Sequence, residues 1–175
     1  MTADAVRLID SLTAVIEDFP QPGITFRDLT PVFADGEALR AVADALVAPW
    51  IGRIDAIAGV EARGFLLAAA AAYSVGLGVL VVRKPGKLPR EVISESYDLE
   101  YGSTSLEVQP ADFAAATRVL VVDDVLATGG TLAASTRLIE RAGWHVAGVS
   151  VVLELGALDG RAALGGREVR ALSTV

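Results

Sequence analysis

The sequence predicts an α/β fold, a largely parallel twisted sheet flanked by helices on both faces. Three observations carry that expectation. Short β-branched runs alternate with stretches whose apolar residues recur at helical spacing. The runs are apolar throughout, as strands covered on both sides are. The joints between them are short, in the manner of βα and αβ connections. With 175 residues, 53% of them hydrophobic, there is material for one core, so residues 1–175 are expected to form a single domain.

The first helix is expected over Asp4 to Glu17, where Val6, Ile9, Leu12 or Thr13, and Ile16 fall three or four apart. Phe19-Pro20-Gln21-Pro22-Gly23 then turns the chain. A helix over Glu37 to Val47 and a strand over Asp55 to Val60 follow. From Gly64 to Val82 there is no charge for 19 residues, a length that raises the question of a membrane span. Gly76 and Gly78 divide it into a helix-like GFLLAAAAAYSV and a strand over Gly78 to Val82, and alanine is only weakly apolar. Helix, turn and buried strand is therefore the reading.

Lys84 to Tyr101, KPGKLPREVISESYDLEY, is polar, rich in turn residues and too long for an ordinary connection, so it predicts a mobile hairpin or lid over about residues 84–102. Arg118 to Val122 predicts a buried strand, Thr131 to Ala142 a helix with Leu132, Ser135, Leu138, Ile139 and Ala142 on one face, and Val146 to Leu153 a further strand. His145, the only histidine, stands apart from every motif and is read as structural. The last dozen residues carry no clear signal.

Composition removes several classes of function. With 15 Lys plus Arg against 22 Asp plus Glu, the net charge of −7 argues against a general nucleic-acid binder or an anionic-membrane binder. The absence of cysteine removes disulfides, thiolate metal sites and thiol nucleophiles, and fits a cytoplasmic setting. The opening MTADAVRLID lacks the pattern of a secretory signal or a transit peptide.

The chemistry concentrates in Val119 to Thr131, VLVVDDVLATGGT, which reads as a buried strand ending in two acids, a tight loop and a helix start. Ligands of open α/β sheets bind at the carboxyl ends of strands. Gly129 and Gly130 would let backbone N–H groups converge on a phosphate at the positive end of the helix, with Thr128 and Thr131 adding hydroxyls. Asp123 and Asp124 would repel a phosphate placed on them, so they suit sugar hydroxyls and a facing Mg²⁺ ion. The inferred ligand is a phosphorylated sugar. No Walker-type G-x-x-x-x-G-K-[ST] is present, and after Gly76-x-Gly78 the third glycine of a dinucleotide fingerprint is replaced by Val81.

That segment resembles the phosphoribosyl pyrophosphate signature of the type I phosphoribosyltransferases. PGITFRDLTP, GVEARGF, RKPGKLP, SYDLEYG and LELGALDGR extend the likeness from about Phe19 to Arg161 and are similar to the adenine phosphoribosyltransferase family. The resemblance implies that fold, with a small hood and a flexible lid loop, and a reaction joining adenine to phosphoribosyl pyrophosphate with Mg²⁺, giving AMP and pyrophosphate. It implies that Asp123 and Asp124 hold the ribose hydroxyls, that Ala127, Thr128, Gly129, Gly130 and Thr131 wrap the 5′-phosphate, and that Arg63 binds pyrophosphate beside a cis peptide. Arg83, Lys84 and Lys87 form a basic cluster suited to that leaving group. Arg83 or Lys84 is expected to reach the neighbouring subunit of a homodimer.

For the base, the resemblance makes Phe26 the stacking ring, gives the backbone of Thr25 and Arg27 the Watson–Crick edge, and closes the far face with Leu155. Enzymes for 6-oxopurines place an aspartate where Ala127 stands, so the acid/base is assigned to Glu100, near N7, with Tyr101 ordering the lid. Two other readings stay open: the same transfer to a 6-oxopurine or orotate, and a non-catalytic phosphoribosyl pyrophosphate sensor.

Overall fold

The structure, a computed structural model, describes residues 2–99 and 102–175. The chain opens with α1 (Thr2–Leu12) and a ribbon of two short antiparallel strands, β1 (Ala14–Ile16) and β2 (Phe26–Asp28). The helix expected to reach Glu17 thus stops at Leu12. Thr13 donates its hydroxyl to the Ile9 carbonyl (2.6 Å), and the β-branched Val15 and Ile16 go into strand, where Ile16 pairs with Phe26.

Helices α2 (Thr30–Ala34) and α3 (Gly36–Val47) follow, the latter capped by Asp35, whose carboxylate accepts from the amides of Glu37 and Ala38. Next come β3 (Ala56–Val60), α4 (Arg63–Val75) and β4 (Gly78–Val82). The uncharged stretch is therefore a helix and a strand, and no helix among the described residues is long and apolar enough to cross a membrane. An antiparallel hairpin, β5 (Ile93–Leu99) and β6 (Gly102–Val108), occupies the expected lid segment and runs beyond it, because Leu106 and Val108 are buried core residues. The chain ends in β7 (Arg118–Leu126), α5 (Gly130–Arg141), β8 (His145–Glu154) and β9 (Val169–Thr174).

Five strands form one wholly parallel sheet in the order β4-β3-β7-β8-β9. Alternate side chains divide it between two apolar layers: Ile57, Leu120 and Val122 face α1, α3 and α4, while Ala58, Val119 and Val121 share a layer with α5 and β6. The neighbouring strands β3 and β7 therefore send their following helices to opposite faces. Their carboxyl ends diverge, and that switch point is where an open α/β sheet leaves a crevice.

Two expectations about strands need correction. β7 does not end at Val122 but continues to Leu126, because β8 keeps pairing with it as far as Leu126↔Glu154. The pairing of β3 with β7 stops at Gly59↔Val122, so from Asp123 onward that edge of β7 is open. The silent final segment holds β9, which adds to the edge of β8. Its side chains are mostly half-buried, too weak a pattern to read in advance.

Candidate active site

The crevice at the switch point is a cleft of about 400 Å³. Its floor is the open end of β7, its walls are the turn after β3 and the start of α5, and the β5–β6 hairpin stands at one side. Of the residues singled out in sequence, Arg63, Lys84, Asp123, Asp124, Ala127, Thr128, Gly129, Gly130 and Thr131 line it together.

Asp123 accepts the amide of Asp124 on Oδ1 (2.9 Å). Burial, and then the adjoining Asp124 carboxylate, push the Asp123 carboxyl well above the usual carboxylate range. Asp124 is almost completely buried, and its Oδ2 lies 2.8 Å from Arg63 Nε without accepting a hydrogen bond. The arginine assigned to pyrophosphate is thus an ion-pair partner of the acid assigned to the ribose.

Beyond the acids the phosphate loop is held by backbone. Gly129 has φ of +82°, and a Cβ there would come 2.3 Å from the Gly160 carbonyl oxygen. A Cβ on Gly160 would in turn meet the Ala127 carbonyl oxygen at 2.1 Å, so the two loops fit only as glycines. Arg161 fastens the second loop by a two-pronged bond to Glu154 (2.7 and 2.8 Å). The cap position of α5 is Gly129, and no side-chain cap is made there among the described residues, so the N–H groups of the first turn can face an anion.

On the opposite wall the Glu61–Ala62 peptide is cis. Glu61 Oε2 accepts the amide of Lys84 (2.9 Å) and Nε of Arg83 (3.3 Å). The Lys84 amide first, and then the Arg83 guanidinium, hold this carboxyl below its ordinary range. Gly86 donates its amide to Glu107 (3.0 Å), so two carboxylates grip the basic turn by its backbone while the Lys84 side chain borders the cleft. Arg83 is drawn to Glu61 and over the Phe65 ring (5.8 Å), and the exposed Lys87 also stands outside the cleft.

The residues assigned to the base stand outside the cleft lining. Phe26 lies in β2, and its ring meets Phe19 edge to face at 5.2 Å. Thr25 is exposed and donates its hydroxyl to Glu17 (2.8 Å). Arg27 borders a separate recess of about 180 Å³ with Asp10 and Val175. Leu155, half-buried after β8, donates its amide to Leu126 (2.9 Å). Arg63 links the two groups, with its guanidinium carbon 5.9 Å from the Phe26 ring centre. Glu100 and Tyr101 lie outside the described residues.

Sequence reasoning missed Tyr97, Thr104 and Leu106, which bring the hairpin into the cleft, along with Val125 and Leu132. The signal was available for Tyr97. Ile93, Glu95 and Tyr97 alternate with serines at strand spacing, so the segment could have been read as a strand with one face turned inward.

An acid pair running into a glycine loop and a helix start at a switch-point crevice is the arrangement of a phosphoribosyltransferase. Residues 39–163 match the model of the phosphoribosyl transferase domain family. An adenine phosphoribosyltransferase of Arthrobacter sp. (strain FB24) is 66% identical over 95% of this chain and 90% of its own length. The one from Thermobifida fusca is 51% identical over the whole of both. The crystal structure of the Thermoanaerobacter pseudethanolicus enzyme superposes with a TM-score of 0.92 at 43% identity, covering 97% of this chain and 99% of that one. The Saccharomyces cerevisiae enzyme, complexed with an imino-altritol bisphosphate and adenine, does so at 0.91 and 35% identity, with the same coverage. The chain belongs to the adenine phosphoribosyltransferases, within the type I phosphoribosyltransferase family.

Proposed function

We infer that this chain transfers the 5-phosphoribosyl group from phosphoribosyl pyrophosphate to adenine, giving AMP and pyrophosphate, and so salvages the free base. The observation that carries the reading is the convergence on one cleft of an acid pair, an uncapped helix start and, across from them, Arg63 and Lys84. A sugar with a phosphate at one end and a pyrophosphate at the other needs the helix start at the first, the acid pair in the middle and the two cations at the second.

In the transfer, the bond from C1 of the ribose to the pyrophosphate oxygen breaks and the bond from C1 to N9 of adenine forms. The transition state is loose, with positive charge growing on the sugar as in glycoside cleavage. Gly129 to Thr131 fix the 5′-phosphate, and the acid pair orients the ribose through its hydroxyls. Arg63 and Lys84 take up the charge that develops on the leaving group, with Arg63 exchanging Asp124 for pyrophosphate. Phe26 and Leu155 sandwich the base, and the backbone of Thr25 and Arg27 reads its amino edge. Glu100 handles the proton that leaves the imidazole ring of adenine, and Tyr101 completes the lid that excludes water.

The donor set fits Mg²⁺ held mainly by substrate. Asp123 and Asp124 supply hard oxygens, and among the described residues no group of three or more His, Cys, Asp or Glu side chains could hold a metal ion. When bound, the ion neutralises charge on the pyrophosphate.

We read the working unit as a homodimer in the cytoplasm, with Arg83 or Lys84 serving the partner's cleft. Two exposed apolar side chains on the outer face of α4, Tyr73 (90%) and Leu66 (53%), support an assembly. The reading is tested by offering adenine, hypoxanthine, guanine and orotate separately with phosphoribosyl pyrophosphate and Mg²⁺ and following pyrophosphate release. Turnover with adenine alone is expected. Turnover with another base overturns the base pocket, and tight binding without turnover overturns the enzyme.

A further inference from the structure

The β5–β6 hairpin is tied at its stem to the same helix whose first turn receives the phosphate. Glu95 and Tyr97 stand opposite Leu106 and Thr104 in the ladder, on the face of the hairpin that meets α5. Glu95 is only 14% exposed, and it accepts Arg137 Nε at 2.7 Å and Arg141 Nη1 at 2.6 Å. Arg141 Nη1 also donates to the Ser94 carbonyl (2.9 Å). The two arginines lie four apart, on one face of α5. Two residues along β5, the Tyr97 hydroxyl is 3.3 Å from Thr131 Oγ1, in the first turn of α5. The helix thus touches the hairpin near both its ends.

An exposed ion pair contributes little, and most such pairs need no functional account. This one differs in three respects. One carboxylate is shared by two arginines, it is mostly removed from water, and it anchors a two-stranded hairpin, an element that is marginal without support. β6 has its own anchorage in the buried Leu106 and Val108, whereas Ile93 and Tyr97 of β5, which pack on the same layer, are only half-buried.

We propose that Glu95 is a positioning residue for the transfer: it fastens the hairpin stem to α5 and sets Tyr97 on the phosphate loop. This rests on the transferase reading of the cleft.

Amide hydrogen exchange and steady-state kinetics on the full-length chain test this. In Glu95→Ala, exchange across residues 93–97 should accelerate while β7 and β8 keep their protection. Its kcat should fall about tenfold, with KM for adenine within about twofold of the unaltered protein. Glu95→Gln, which keeps an acceptor, should recover part of the loss. Tyr97→Phe should lower kcat in the unaltered background and have no further effect in Glu95→Ala, since the contact is already gone. Unchanged stem exchange, or equal costs of Tyr97→Phe in both backgrounds, overturns the proposal. Should Glu95→Ala fail to fold, Arg137→Gln with Arg141→Gln removes the same fastening from the helix side. Exchange is read without turnover, so a chain that is inactive on adenine but has a Glu95-dependent stem would sink the transferase reading alone.

Discussion

The proposed phosphate side and the proposed base side of the site are built from different materials. On the phosphate side, every group is an extension of the central sheet: β7 runs out into Asp123 and Asp124, the loop turns on Gly129 against Gly160, and α5 begins at once. On the base side, Phe26 sits in a three-residue strand that pairs, among the described residues, with one other three-residue strand, and its ring touches Phe19 by an edge. The first is positioned by backbone geometry and the second by side-chain packing on a thin ribbon. Small changes should therefore be severe in one place and graded in the other.

The largest effect expected is that of Gly129→Ala. A methyl 2.3 Å from the Gly160 carbonyl oxygen cannot be accommodated by a side-chain rotation, and φ of +82° is itself unfavourable for alanine. Displacing the loop by even an ångström should cost about a hundredfold in kcat/KM for phosphoribosyl pyrophosphate. Kinetics with that substrate varied at saturating adenine would show it. A loss below about threefold would mean that the phosphate side is as pliant as the base side, and the contrast would fail.

Asp123→Asn should come next, and it should separate function from stability. A carboxyl raised by burial and by its neighbour binds its proton more tightly in the folded protein than in the unfolded chain. The sign follows: stability falls as pH rises from the unfolded value through the folded one, so at neutral pH the buried Asp123 carboxyl burdens the ligand-free protein. Asparagine removes that burden and also the negative acceptor for the ribose. A higher Tm at pH 7, smaller gains near pH 4, and at least tenfold weaker binding of phosphoribosyl pyrophosphate by calorimetry are the expected results. A lower Tm at pH 7 would contradict the account of Asp123.

On the base side, Phe26→Ala should raise KM for adenine about tenfold, the range of one lost base–aromatic stack, and leave KM for phosphoribosyl pyrophosphate nearly unchanged. An equal rise in both would indicate that the contact between Phe26 and Arg63 transmits the change to the phosphate side.

The same contrast explains what was legible beforehand. Asp123 to Thr131 are contiguous, and their types suffice, because a strand end, two acids and a glycine loop before a helix allow few backbone paths. The alternation of strands and helices was legible for the same reason. The supports were not, because they come from remote positions: Gly160 under Gly129, Glu107 behind Gly86, and Glu95 beneath Arg137 and Arg141. Helical periodicity misled at Val15 and Ile16, where pairing with β2 overrode it. A likeness of motifs could name Phe26, but it could not show that Arg63 stands between Phe26 and Asp124.

Glu61→Gln should have the smallest effect, and it tests whether the pyrophosphate wall belongs with the backbone-built or the side-chain-built half. Glu61 grips Lys84 by its amide and Arg83 by its guanidinium. Glutamine can still accept the amide, so the turn should persist, while Arg83 loses its ionic partner and is freed from Glu61. The expected change is about threefold in KM for phosphoribosyl pyrophosphate, with kcat little altered, in keeping with a partly exposed ion pair. The pH dependence sharpens the point. The Glu61 carboxyl lies below its ordinary range, so its contribution is complete above the unfolded value and is lost only as pH falls through the lower folded value. The unaltered protein and Glu61→Gln should therefore converge in acid and differ near neutrality. If they do not differ near neutrality either, the amide contact, which glutamine keeps, rather than the charge holds the turn, and the wall belongs with the backbone-built half.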